Sequence, residues 1–246
     1  MKTVIVIPAR YASTRFPGKV LFPLLGKPIL QWVWEKAAKA NIADEIIIAT
    51  ENEKVMNFAI KINAKAVMTS EKCQSGSDRV WEVVKNKDYD IVVNLQADEP
   101  FIKSDTIRKA WLKIKEKNLF DITTVVSKIS DIKDINNPNC VKVAIGNDGR
   151  AVYFSRLPIP YHHSLSKLSE KVPYFKHCGI YVYRKESLRK FVSLPQTKNE
   201  VLERLEQLRA IDNGFIIGTV LVKDQGPAID VPADIKKAEN YAQNIK

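Results

Sequence analysis

Arg10, Arg15 and Lys19 place three permanent cations on one short stretch, interleaved with the small residues Ala9, Ala12, Ser13 and Gly18. Small residues let backbone N–H groups approach an anion, and the cations neutralise charge that loop amides alone cannot, so the stretch suits a polyphosphate. The competing reading of the same charges is a solvated surface face. A second chemical signal is Asp98, in Ala97-Asp98-Glu99-Pro100, directly after the apolar run Ile91-Val92-Val93-Asn94-Leu95-Gln96. A carboxylate at the end of such a strand, facing the basic loop, is placed to hold Mg²⁺ against a triphosphate. A third is Ser75-Gly76-Ser77-Asp78-Arg79, with good helix-capping residues followed by an arginine. A helix start offers free N–H groups to an anion or a base carbonyl, and Arg79 adds a planar fork of donors.

The elements that must carry these residues follow from hydrophobic pattern. Val4 to Ile7 is a run of branched apolar residues closed by Pro8, the pattern of a strand buried on both faces in a parallel sheet. The basic stretch is then the loop at the strand's carboxyl end, where open α/β sheets bind ligands. A helix over Ile29 to Ala38, a strand at Ile46 to Thr50, a helix over Glu53 to Ile62 and a strand at Ala64 to Met68 complete a β-α-β-α-β beginning. After a strand at Asp121 to Ser127 the pattern changes to a hairpin turning at Asp148-Gly149. Lys176 to Tyr183 reads as a strand, Val201 to Arg209 as one helix stopped by Asn213-Gly214, Phe215 to Val222 as a strand and Pro232 to Ile245 as a closing helix. The expected fold is α/β, a doubly wound Rossmann-like, mostly parallel sheet with a smaller antiparallel region. It forms one domain over 1–246, with a substrate or dimerisation subregion at about 121–215.

Composition excludes several classes. No G-x-G-x-x-G follows the first strand and no G-x-x-x-x-G-K-S/T occurs, against a dinucleotide dehydrogenase or a P-loop NTPase. Cys73, Cys140 and Cys178 are odd in number and widely spaced, which indicates neither a disulfide framework nor a zinc site. The chain carries a net charge of +11 over 246 residues, yet its lysines are spread along helix-like segments such as 111–117. Two anionic small substrates suit that balance better than a nucleic acid. With no apolar run long enough to span a bilayer and no signal-peptide pattern, the expected compartment is the cytoplasm, with no membrane partner.

Pro8 to Lys19 resembles the opening signature of the CMP-Kdo synthetases, cytidylyltransferases that activate the acidic eight-carbon sugar Kdo for lipopolysaccharide. Further matches follow in order: Ser75 to Arg79; Leu95 to Pro100, where Ala97 stands in place of glycine; Phe154 to Tyr161, with Leu157 in place of serine; Lys176 to Tyr183, with Cys178 in place of valine; Leu205 to Arg209; and Gly226 to Ile235. The resemblance implies CMP transfer from CTP to the anomeric hydroxyl of Kdo with release of pyrophosphate, a nucleotide-diphospho-sugar transferase fold and a homodimer. It implies Mg²⁺ held by Asp98 and Asp230, with Lys19 and Arg15 acting on the phosphates. Cytidine would be gripped by Ala9, Arg10, Ser75, Arg79 and Gln96. The sugar acid would be oriented by Arg156, His177, Tyr183, Glu206 and Gln207. His162-His163 without a third ligand reads as solvent-exposed loop. Two alternatives remain: a cytidylyltransferase for 8-amino-Kdo or a sialic acid, Gln74 and Ala97 being unlike the commonest residues of the family, and, from a different class, a basic non-catalytic RNA-binding protein.

Overall fold

The computed structural model describes residues 1–116, 119–161 and 174–244. Lys117, His162-His163 and Ile245 lie outside them. The chain runs β1 (Thr3–Pro8), β2 (Pro23–Leu24), β3 (Lys27–Pro28), α1 (Ile29–Ala40), β4 (Glu45–Thr50), α2 (Glu53–Lys61), β5 (Lys65–Met68), α3 (Gly76–Val84), β6 (Ile91–Leu95) and α4 (Ser104–Lys115). It continues with β7 (Ile122–Lys128), α5 (Ile132–Asn136), β8 (Lys142–Ile145), β9 (Ala151–Ser155), β10 (Phe175–Arg184), α6 (Lys185–Ser193), α7 (Lys198–Glu203), α8 (Gln207–Asp212), β11 (Ile217–Val222) and α9 (Asp234–Asn244).

β1 is central because every one of its apolar side chains has a place to go. Ile5 and Ile7 enter one core with Leu30, Val33 and Ile48, while Val4 and Val6 enter a second with Val80, Val84 and Val92. Alternate side chains of a strand leave opposite faces, so a continuous apolar run requires helices on both. The main sheet has the order β11-β7-β10-β6-β1-β4-β5, with β8 joined to β10 and β9 to β8. β1 pairs in parallel with β4 and β6, β4 with β5, and β11 with β7. β10 runs antiparallel between β6 and β7, with its register broken by a bulge between Cys178 and Tyr181. The expected α/β sheet is therefore present, and its antiparallel component sits inside the main sheet as well as in the β8–β9 extension. Among the described residues, no helix is long and apolar enough to cross a membrane.

One expected element differs. The single helix over Val201 to Arg209 is two, α7 and α8, parted at Arg204, whose φ of 52° ends α7 in the left-handed region. Arg209 binds back across the break: its Nε and Nη2 donate to Glu200 at 2.9 and 2.6 Å, and both side chains are buried. That paired fork, satisfied at both ends, locks the angle between the two short helices.

Candidate functional site

Three chain segments converge at the carboxyl ends of β1 and β6. Lys19 Nζ donates to Asp98 Oδ2 at 2.8 Å and to Asp230 Oδ1 at 3.3 Å, and Arg15 Nη2 donates to the same Asp230 oxygen at 3.2 Å. Burial by itself would lower the Lys19 ammonium, but the facing Asp98 and Asp230 carboxylates outweigh it and hold the group above its ordinary value. Arg10 is exposed at the rim and makes no side-chain bond among the described residues. Arg10, Arg15, Lys19, Gln96 and Asp98 share one cleft of about 280 Å³ with the backbone of the loop. A wider groove of about 540 Å³ beside α3 contains none of these residues. The smaller cleft is the one where both signs of charge meet strand ends, as ligand binding to an open sheet requires.

The backbone sets this meeting. Ile229 N–H donates to the Asp98 carbonyl at 3.0 Å, joining the 226–230 segment to the end of β6. Asp234 Oδ2 then accepts the N–H groups of Asp230 and Val231 at 2.9 and 3.0 Å, fixing the turn that presents the Asp230 carboxylate. Gly226 begins the segment at φ 83°, where an added Cβ would come within 2.5 Å of the Tyr241 ring. Ala97 has no positive φ and is buried, so alanine takes this position without backbone strain.

The α3 end of the site closes against β6. Ser75 and Asp78 exchange hydrogen bonds as a capping box, at 3.1 and 3.0 Å. A Cβ on Gly76 would lie 3.3 Å from Gln96 Nε2 and 3.6 Å from Pro8 Cγ, so the helix start, Gln96 and the end of β1 stand side by side. Ala9 is buried and donates its N–H to the Ala49 carbonyl at 2.8 Å. Arg79 does not open onto this cleft. Its guanidinium, 3% exposed, lies 3.2 Å from Glu51 and donates to Thr69 Oγ1, an internal ion pair at the residue expected to grip cytidine.

The residues expected at the sugar divide in the same way. Arg156 spends its guanidinium on backbone carbonyls, donating to Glu203 at 2.7 Å, Pro138 at 2.8 Å and Arg204 at 3.3 Å. Its donors brace the chain where a sugar carboxylate had been expected. Tyr183 is 3% exposed, its ring packed with Tyr181 and Phe191, and burial raises its hydroxyl. Among the described residues that hydroxyl reaches only Ser77 Oγ, at 3.5 Å. His177 lies edge-on to Phe154 with one ring nitrogen 2.8 Å from Thr124 Oγ1, and burial pushes it down to about 4. Gln207 is 6% exposed. Glu206 is raised by burial, against the hydroxyls of Ser75 and Ser77, and its Oε1 is buried with no hydrogen-bond partner among the described residues. Glu206 thus stands against Ser75 and Ser77 at the start of α3.

Two acidic residues enter that carried no expected role. Glu51 follows β4 and accepts N–H bonds from the basic loop. Glu99, beside Asp98, accepts the Gly179 N–H at 2.6 Å, and burial with the neighbouring Asp98 charge lifts it to about 7. An acid in the loop that leaves a core strand was the available signal for both.

The cytidylyltransferase family model matches residues 4–222. The chain is 47% identical to a 3-deoxy-manno-octulosonate cytidylyltransferase of Elusimicrobium minutum, over 98% of each chain. It is 41% identical to one of Chloroherpeton thalassium, over 97% of each. Among solved structures it is similar to a CMP:2-keto-3-deoxy-manno-octonic acid synthetase complexed with CTP, with a TM-score of 0.91 and 37% identity over the whole of both chains. A cytidylyltransferase from Leptospira borgpetersenii, 17% identical with a TM-score of 0.66, covering 99% of this chain and 87% of its own, shares the fold.

Proposed function

The chain belongs to the 3-deoxy-manno-octulosonate cytidylyltransferase family, and from that membership we propose that it transfers CMP from CTP to the anomeric hydroxyl of 3-deoxy-manno-octulosonate (Kdo), releasing pyrophosphate. The observation that carries the site assignment is the convergence of Asp98 and Asp230 on one buried ammonium, Lys19.

Reaction at the α-phosphorus of CTP demands positioning and charge neutralisation more than covalent help from the protein. Arg10, Arg15 and Lys19 neutralise the β- and γ-phosphates and the pyrophosphate that leaves. Two carboxylates with water and phosphate oxygens are the ligand set Mg²⁺ prefers, so Asp98 and Asp230 fit the ion and would hold it. Held by Asp98 and Asp230, the ion would supply Lewis-acid polarisation of phosphate oxygens and would favour ionisation of the attacking hydroxyl. Ser75, Gln96 and the backbone at Ala9 face the nucleoside, while Arg79 supports the loop from behind. Glu206, whose buried Oε1 has no partner among the described residues, accepts a sugar hydroxyl in this reading, and Gln207 and His177 are assigned to the sugar with it.

The protein acts as one α/β unit whose 121–215 portion meets the sugar and a second copy. Leu157 and Leu202 are 70% and 81% exposed on the two segments that the Arg156–Glu203 bonds join, an apolar surface that a homodimer would cover. The use of CTP as donor supports a cytoplasmic location in this reading. Incubation with CTP, Mg²⁺ and a panel of acidic sugars, followed by pyrophosphate release, tests the assignment. Kdo is expected to give the fastest turnover; release with 8-amino-Kdo or a sialic acid but not Kdo would move the protein to a neighbouring specificity.

A further inference from the structure

The basic loop hangs from a side chain that belongs to none of the motifs. Glu51 Oε1 accepts the N–H of Tyr11 at 2.8 Å and that of Ala12 at 3.4 Å. Its other oxygen stands 3.2 Å from Arg79 Nη1, an ion pair lacking the alignment of a hydrogen bond. The two side chains are 8% and 3% exposed, so each charge depends on the other and on its polar neighbours for compensation. Tyr11 passes the restraint along the loop. Its carbonyl accepts the N–H of Ser13 at 2.9 Å and of Gly18 at 3.0 Å. Its ring lies against Gly18, where an added Cβ would meet ring atoms at 3.3 Å. The next residue is Lys19, whose ammonium lies between Asp98 and Asp230.

We propose that Glu51 is a positioning residue for the triphosphate: pinned by the buried Arg79, its carboxylate fixes Tyr11 and through it the placement of the Arg10-to-Lys19 loop over the two aspartates. The proposal rests on the reading above that this loop holds CTP. A loop rich in small residues needs an external restraint to hold three cations in one geometry, and displacements of about an ångström at a reacting phosphate cost large factors in rate. A carboxylate provides that restraint better than a neutral acceptor because its bonds to N–H groups are charge-assisted. The arrangement also has a chemical consequence. The Tyr11 and Ala12 amides are spent on Glu51 and the Ser13 amide on the Tyr11 carbonyl, so these three are not offered to the phosphates, which the Arg10, Arg15 and Lys19 side chains can meet.

Glu51→Gln keeps the shape and removes the charge. With pyrophosphate release as the readout, it is expected to raise the KM for CTP by about tenfold, leave the KM for Kdo within about twofold, and speed exchange of the Tyr11 amide hydrogen by about tenfold. A purely structural role would lower thermal stability without separating the two KM values. Lys19→Ala, measured beside it, tells the two readings apart. If Lys19→Ala raises the CTP KM and Glu51→Gln does not, the strut is overturned and the loop assignment stands. If neither moves it, the loop assignment falls and takes the proposal with it. Should Glu51→Gln fail to fold, Glu51→Asp keeps the charge but shortens the reach; it is expected to show the same split in smaller measure, and equal effects on both KM values would overturn the proposal.

Discussion

The N–H of Ile229 donates to the carbonyl of Asp98 at 3.0 Å, so the two carboxylate-bearing segments are joined through main chain before any side chain acts. Side-chain changes at Asp98 or Lys19 therefore leave the frame of the site in place, and their effects report chemistry.

Lys19→Ala removes a buried cation shared by two carboxylates. Hydrogen bonds to charged groups are worth roughly 1.5–3 kcal/mol, which predicts a 10- to 100-fold rise in the KM for CTP with a much smaller change for Kdo. Steady-state kinetics with each substrate varied in turn checks this, and an unchanged CTP KM would contradict the placement of the loop.

Arg156→Ala is predicted to act on stability. The guanidinium holds carbonyls of Glu203, Pro138 and Arg204, and losing those bonds should cost roughly 1–3 kcal/mol, read as a lower Tm. A variant with wild-type Tm and a large rise in the KM for Kdo would return Arg156 to the sugar carboxylate.

Gly226→Ala introduces both a side chain at φ 83° and a contact 2.5 Å from Tyr241. Strain and overpacking together predict a loss of roughly 2–4 kcal/mol in urea unfolding, accompanied by reduced activity because this segment leads to Asp230. Near wild-type stability and turnover would show that the segment relaxes freely.

His177 sets an acid limit on stability. Burial holds it at about 4 in place of the ordinary 6.5. The unfolded chain therefore takes up the proton first, and stability present at neutral pH is lost as pH falls from 6.5 towards 4. Between pH 7 and pH 5 the loss from this group is roughly 2 kcal/mol. Urea unfolding of wild type and His177→Asn at both pH values checks it: the variant should lose less stability on acidification.

Much of this arrangement is readable from local pattern. The Val4-to-Ile7 run announces a strand covered on both faces, and its position explains why Arg10, Arg15 and Lys19 face the end of β6 where Asp98 stands. What escapes is non-local. Arg79 and Arg156 have the side chains of ligand readers, and only the fold reveals that Glu51 and a set of backbone carbonyls have already claimed them. The break between α7 and α8 is hidden because Arg204 adopts a left-handed conformation usually given to glycine or asparagine. Likewise, no periodicity says that β10 will insert antiparallel between β6 and β7.

Pyrophosphate release from CTP and Kdo by Asp98→Asn, across a range of Mg²⁺ concentrations, tests the metal assignment at its centre. The isosteric amide keeps the Ile229 bond and loses the charge, so turnover should fall by about 100-fold or more, with a higher Mg²⁺ requirement and little change in Tm. Near wild-type turnover with an unaltered Mg²⁺ dependence would contradict the account.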